Sequence, residues 1–515
     1  MKSGPADGLT RREILRRAGG ALGTTLAGGV GMCAQSTQAP GANVPEICFM
    51  SATDLVQAIR ARRLSVREVV TEHLRQIDRV NPKVNAICTL EAEQALKQAD
   101  RADQALSRGA VAGPLIGLPI AIKDLALTKG IRTTFGSPIF KDFIPDQDDL
   151  FVERLKEAGA IIVGKTNTPE FGAGSQTFNK VFGITRNPYD LRKTCGGSSG
   201  GGAAALACGL IPIADGSDLG GSVRNPPSFC NVVGIRPSPG RVPRYPNLQP
   251  WNTLPVIGAM ARSVSDAALL LSVMTGPDPR DPISISESGD QFRAPLDRSF
   301  RGVRLAFSPD LGSFPVEKAV TDTIEKALPV FRDLGCRLEN AHPDFTDAAE
   351  IFQVLRAQDY AFSRKDDLDH RRELLKDTVI WNAEQGLKLS ALDVSRAQAR
   401  RAALYQRVRE FLQRYEFLLL PVSQVAPFPV EVEWVREING VKMQTYIDWM
   451  MSCSFITITE LPALSIPCGF TGEGLPVGLQ IVGRHRRDFE VLQLAFAFEQ
   501  ATQVARRRPE VAVQV

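Results

Sequence analysis

Two serines set among glycines, Ser198 in GGSSGGG and Ser222 in DLGGSVR, stand 24 positions apart within the stretch 194–227. Glycines beside a serine permit backbone conformations closed to other residues and leave N–H groups uncovered, free to point at a developing oxyanion. An acyl-transfer site needs a nucleophile, a base and such donors. Ser222, behind two glycines, is the nucleophile candidate. The backbone N–H groups of Leu219, Gly220, Gly221 and Ser222 are the oxyanion candidates. The stretch contains no G-x-x-x-x-G-K-[ST] phosphate loop and no G-x-G-x-x-G. Val223 and Arg224 after Ser222 also depart from a G-x-S-x-G elbow. A flexible linker would explain GGSSGGG alone, but an apolar, small-residue segment follows it at once.

The base is less obvious. The four histidines, His73, His342, His370 and His485, all lie far in sequence from the glycine loops, which does not by itself exclude a triad assembled in space. Lys123 closes the apolar run LPIAIK. A free lysine titrates near 10.4, so holding it neutral at pH 7 costs about 4.6 kcal/mol, at about 1.36 per unit. Burial lowers a lysine pKa by up to about 3–5 units and removes that cost. The same position equally suits a lysine paired with Asp124 for structure alone.

The elements around these residues alternate. Apolar periodicity predicts helices over 51–80, 91–107, 150–158, 203–210, 265–274, 316–334, 392–415 and 489–504. Ser65 and Glu68 form a capping box in the first of these segments, and Asn81-Pro82 ends it. Short apolar runs predict buried strands at 119–122, 160–163, 211–214, 303–307, 417–421, 463–467 and 477–482. Such alternation argues for α/β layers. No internal repeat and no linker divides the chain after residue 46. The region 278–401 is the least regularly patterned and is expected to shape the substrate mouth.

With 515 residues, 43% of them hydrophobic and 23% charged, the composition is that of a globular enzyme. A net charge of +4, with no basic block past the N-terminus, excludes a nucleic-acid surface. Nine cysteines form no CxxC pair or zinc pattern, and their apolar surroundings suggest buried thiols. At the N-terminus, TRREILRR precedes an uncharged Gly/Ala-rich run, Ala18 to Met32. The run is too short for a membrane span and has the order of a signal peptide. Arg11 and Arg12 resemble a twin-arginine signal. Residues 1–42 are therefore expected to be an export signal, cleaved between Met32 and Pro45. The mature part, 43–515, would then be periplasmic or secreted, without stable membrane insertion.

The motifs GLPIAIKD, GKTNTPEFG, GGSSGGGAAALA and DLGGSVRNPPSFCNVVGIRPS occur in that order, followed by LPALSIPCGFTGEGLPVGLQIVG. Through them the chain, from Ala52 to Thr502, resembles the amidase signature family. The resemblance implies one large α/β domain with a central mixed sheet covered by helices. It also implies a Ser-cisSer-Lys triad in which Ser222 is the nucleophile, Ser198 the bridging serine after a cis peptide, and Lys123 the base. Ser199, Asp218 and Arg224 match residues that support the site. Cys195, Leu219, Pro227, Thr457 and Glu460 stand where similar sequences commonly carry other residues. The implied activity is hydrolysis of a small-molecule carboxylic amide, with no metal or organic cofactor and, as is frequent among similar proteins, a homodimer. A glutamine-hydrolysing subunit of a tRNA-dependent amidotransferase and a catalytically silent binding protein on the same fold are the alternatives.

Overall fold

The computed structural model describes residues 46–111 and 113–513; the expected export signal lies outside them. Ala52–Arg60 (α1) and Val66–Val84 (α2) open the described chain. Ser65 and Glu68 cap α2 reciprocally, as their spacing predicts. The helix does not stop at Asn81-Pro82 but runs through Pro82 to Val84 and closes on Asn85 in the left-handed conformation. The Asn81 side chain accepts from the amides of Ala86 and Ile87, so it shapes the exit one turn later than the proline suggested.

Ile87–Leu90 (β1), Pro119–Lys123 (β2) and Ile161–Thr166 (β3) form a small sheet in the order β1-β3-β2, with β2 parallel and β1 antiparallel to β3. Every residue of β2 and β3 is buried. The main sheet has eight strands. They are Ile213–Asp218 (β4), Val233–Arg236 (β5), Val256–Ala261 (β6), Arg304–Phe307 (β7), Arg337–Asn340 (β8), Phe417–Pro421 (β9), Ala463–Phe470 (β10) and Pro476–Val482 (β11). Their order is β8-β7-β9-β11-β10-β5-β6-β4. The pairs of β7 are parallel and the rest antiparallel, so the sheet is mixed. The sequence FLLLP of β9 is buried at every position, as a central strand covered on both faces must be. Helices flank the sheet over a large apolar core, and a second, smaller cluster packs Tyr360 and Leu368 against Val379 and Ala383. The α/β architecture expected from the alternating pattern is the one observed.

Gly200–Ala207 (α3) begins three residues before its apolar run. The helix opens on glycines because nothing larger fits at these positions. A Cβ on Gly200 would lie 2.2 Å from Thr177 Oγ1, and one on Gly201 would lie 2.4 Å from the Asn167 amide nitrogen. Asn225–Cys230 (α4) follows the Ser222 loop, and Val264–Met274 (α5) covers the sheet beyond β6. The helix expected over 316–334 is divided into Lys318–Ala327 and Pro329–Asp333, with Pro329 at the start of the second piece. Further along the weakly patterned region come the helices Ala348–His370 (α6) and Asp377–Leu387 (α7). Ala391–Arg414 (α8), Met451–Thr457 (α9) and Asp488–Thr502 (α10) complete the set used below. All eight cysteines among the described residues are free thiols, seven of them buried.

The closest approach in the main sheet lies behind Ser222. A Cβ on Gly234 in β5 would meet Val223 O at 2.0 Å and Pro227 Cγ at 2.5 Å. Gly234→Ala is expected to lower stability by roughly 1–3 kcal/mol, read as a lower urea midpoint at unchanged slope.

Candidate active site

β2 delivers Lys123 to the end of the main sheet. The Lys123 backbone N–H donates to Asp215 Oδ1 at 3.0 Å, which ties the small sheet to the edge strand β4. The side chain is 1% exposed. Its Nζ reaches Ser198 Oγ and Ser199 Oγ, each at 2.8 Å, Ser217 Oγ at 3.0 Å and Ser217 O at 3.4 Å. All four partners are neutral oxygens, and Lys123 makes no ion pair among the described residues. Burial pulls its pKa from an ordinary 10.5 down to about 7, against the opposing pull of the Asp215 and Asp218 carboxylates. Burial likewise lifts Asp215 to about 6. Asp124 does not pair with Lys123: its carboxylate accepts from Thr134 N–H and Oγ1. Of the two readings of Lys123 from sequence, pairing with Asp124 is therefore not the observed one.

Ser198 sits just before α3, and the Gly197–Ser198 peptide is cis. Gly172 leaves room beside it, since a Cβ there would stand 3.3 Å from Ser198 Oγ. Ser199 accepts from Lys123 and faces Ser217 O at 3.4 Å.

Ser222 lies in the turn between β4 and α4, whose shape is fixed by Asp218. Asp218 Oδ1 accepts from Gly221 N–H at 2.9 Å, Arg224 Nη2 at 2.9 Å and Arg236 Nη1 at 3.2 Å. Oδ2 accepts from Val223 N–H at 3.1 Å and Arg224 Nε at 3.0 Å. Both ion pairs are fully buried. Burial alone would raise the Asp218 pKa, but Arg224 and Arg236 override it and hold the carboxyl well below the usual range. Arg224 continues outward to Cys453 O, Gln480 Oε1 and Thr457 Oγ1. Thr457, a departure from the commoner residue in similar sequences, thus still braces Arg224. Glu460, another departure, adopts φ +61° and pairs with Arg401 at 2.9 Å.

Gly221 N–H is engaged by Asp218, which narrows the four oxyanion candidates. The N–H groups of Leu219, Gly220 and Ser222 have no protein acceptor among the described residues. Side chains cannot replace the two glycines. A Cβ on Gly220 would lie 2.9 Å from Phe352 Cζ, and Gly221, at φ +124°, would place one 2.6 Å from Cys453 Cβ.

Ser198, Ser217, Leu219, Gly220 and Ser222 line one cavity of about 270 Å³. Its walls carry Phe171 and Met450, and a row of α6 residues from the region expected to shape the mouth. Sequence reading missed Ser217, although it stands directly before Asp218. It also missed Arg236 and Gln480, which meet the loop only through the sheet.

Comparison with known proteins places the whole chain, rather than the site alone, in a family. A sequence profile described as amidase matches residues 68–492. The chain belongs to the amidase family. Amidase signature enzymes hydrolyse carbon–nitrogen amide bonds. An acylamidase of Rhodococcus erythropolis is 35% identical over 465 residues, covering 90% of this chain and 97% of the relative. One subunit of the glutamyl-tRNA(Gln) amidotransferase of Alkaliphilus metalliredigens is 34% identical, covering 90% of this chain and 98% of the relative. The crystal structure of a bacterial aryl acylamidase of the amidase signature family superposes with a TM-score of 0.83 at 30% identity, covering 88% of this chain and 97% of that one.

Removing one partner from a buried ion cluster leaves the others uncompensated. Asp218→Asn is expected to lower stability by about 3–5 kcal/mol, measured by chemical denaturation against the parent chain.

Proposed function

We propose that this amidase cleaves a small-molecule carboxylic amide through an acyl-enzyme on Ser222, with Ser198 as proton relay and Lys123 as base. The observation that carries the reading is the contact of Lys123 Nζ with Ser198 Oγ at 2.8 Å, in a buried setting where no described carboxylate stands at ion-pair distance of the amine. A lysine drawn to a pKa of about 7 by burial is part-neutral at physiological pH and accepts a proton there. Neutral Lys123 takes the Ser198 proton, and Ser198 takes that of Ser222 as Ser222 Oγ attacks the carbonyl carbon. The tetrahedral oxyanion rests on the free N–H groups of Leu219, Gly220 and Ser222. Ser198 then passes a proton to the leaving nitrogen and recovers one from Lys123, which returns it to its neutral form. Water attacks the ester along the reverse path, releasing the carboxylate and restoring Ser222. Ser199 and Ser217 hold the Lys123 amine in line, while Asp218 and Arg224 fix the turn that presents Ser222.

The basic and apolar order of residues 10–32 supports export of the folded enzyme, periplasmic or secreted. The amidotransferase-subunit reading draws on relatives such as that of Alkaliphilus metalliredigens. A secretory leader speaks against it, because aminoacyl-tRNA is cytoplasmic. Intact mass of protein recovered from the periplasm is expected to be short by the residues before a cut between Met32 and Pro45. Full-length protein held in the cytoplasm with bound partner subunits would favour the amidotransferase.

Ser222→Ala is expected to abolish amide hydrolysis and fluorophosphonate labelling while leaving the circular dichroism spectrum unchanged; a labelled or active variant would contradict the assignment. In the parent enzyme the reactive form is the unprotonated lysine. Therefore kcat/KM is expected to climb as pH rises through about 7 and then level off.

A further inference from the structure

One wall of the cavity is a single face of α6. Phe352, Arg356, Asp359, Tyr360, Ser363 and Arg364 all line it, at the three- and four-residue spacing that puts side chains on one side of a helix. Arg356 is unusual among them. It is 5% exposed and makes no ion pair among the described residues. Nη2 donates to Tyr446 Oη at 2.6 Å and to Tyr360 Oη at 3.4 Å. The guanidinium carbon lies 4.7 Å from the Tyr360 ring centroid and 5.6 Å from that of Tyr446. Nε is buried without an acceptor, and Nη1 donates to none of the described residues.

The other charges on this face are already engaged. Arg364 pairs with Asp367 at 3.0 Å and lies over the Phe171 ring at 4.1 Å. Asp359 holds the Gln249 and Asn252 amides on Oδ1, at 3.0 and 2.8 Å, and stays outside ion-pair distance of Arg356. A guanidinium withdrawn from water, with donors left over, is costly unless an anion completes it. Two tyrosine rings compensate only part of that cost. A carboxylate matches the guanidinium fork through two hydrogen bonds. The negative charge of Asp359, one turn along the helix, disfavours a dianion such as a phosphate monoester.

We propose that the cavity selects amides bearing a carboxylate away from the scissile bond, and that Arg356 is the specificity residue that binds it. The proposal rests on the amidase reading of this cavity and adds the substrate class. A purely structural Arg356, bracing Tyr360 and Tyr446, would show no preference for charge.

The test uses matched pairs in two series, one for each side of the scissile bond. The first sets the mono-p-nitroanilides of linear dicarboxylic acids against their methyl-ketone isosteres. The second sets N-acetyl-4-aminobenzoate against N-acetyl-4-aminoacetophenone. The parent enzyme is expected to favour the carboxylate in at least one series by about 10- to 100-fold in kcat/KM, the value of a hydrogen bond to a charged group. Arg356→Gln is expected to bring that ratio close to one, and Arg356→Lys to restore part of it. No preference in either series, or an equal loss for both members of each pair in Arg356→Gln, would overturn the proposal. The same compounds are titrated by calorimetry onto Ser222→Ala, where turnover plays no part. If no amide is hydrolysed but the carboxylate member binds more tightly and loses that advantage in Ser222→Ala/Arg356→Gln, the selectivity stands and the hydrolytic reading falls. Equal binding of both members there overturns the selectivity itself.

Discussion

A lysine amine is held out of water among four neutral oxygens, and the rest of the site is arranged around that fact. Desolvation disfavours the charged form, and no carboxylate stands at ion-pair distance to restore it. The carboxylate nearest to the backbone of Lys123, that of Asp215, is spent on the Lys123 N–H rather than on Nζ. This places the aspartate where it anchors β2 to β4 yet returns only a distant Coulombic pull. The result is an amine near pH 7 in contact with Ser198 Oγ. One pairing at Nζ would have made the lysine a permanent cation and ended its use as a base.

The second requirement is a turn that exposes a serine while its amides face a cavity. Asp218 meets it by gathering two arginines and two backbone N–H groups onto one carboxylate. Arg224 and Arg236 then spread the anchorage to β5, α9 and β11 through Thr457, Gln480 and the carbonyls of Cys453, Leu254 and Asp218 itself. Charge that would be costly alone is thereby shared among rigid elements. Glycine is required at the turn by contact with Phe352 and Cys453, so residues from late in the chain set limits on the catalytic loop. The same late part supplies the α6 face of the cavity.

Much of this was legible in the sequence, for identifiable reasons. Strands such as Phe417–Pro421 are short, apolar and bounded, so their edges coincide with those observed. The Ser65–Glu68 capping box marks its helix start by chemistry as much as by pattern. The glycine-serine motifs bring Ser198, Ser199 and Ser222 to one place because local loops hold them. What was not legible depended on packing. Gly200–Gly202 open a helix although glycine propensity argues against it, and Thr177, Asn167 and Met260 leave no room for other side chains there. Pro82 sits inside α2 although its type argues for an end. Gly221 N–H is occupied by Asp218, a hydrogen bond that spacing alone does not reveal. Arg236 and Gln480 join the site across neighbouring strands, and Arg356 through a helix whose periodicity is blurred by polar residues on its buried face.

The central claim is that Lys123 titrates near pH 7 in the resting enzyme, so that a substantial share of it is neutral there. Carbon-13 labelling of lysine side-chain methylenes, followed by NMR titration, reads that ionisation directly, with Lys123→Met assigning the resonance. One lysine signal titrating near 7, absent from the variant, is the predicted result. A Lys123 signal that moves only near the ordinary lysine value of about 10.4 would contradict the account.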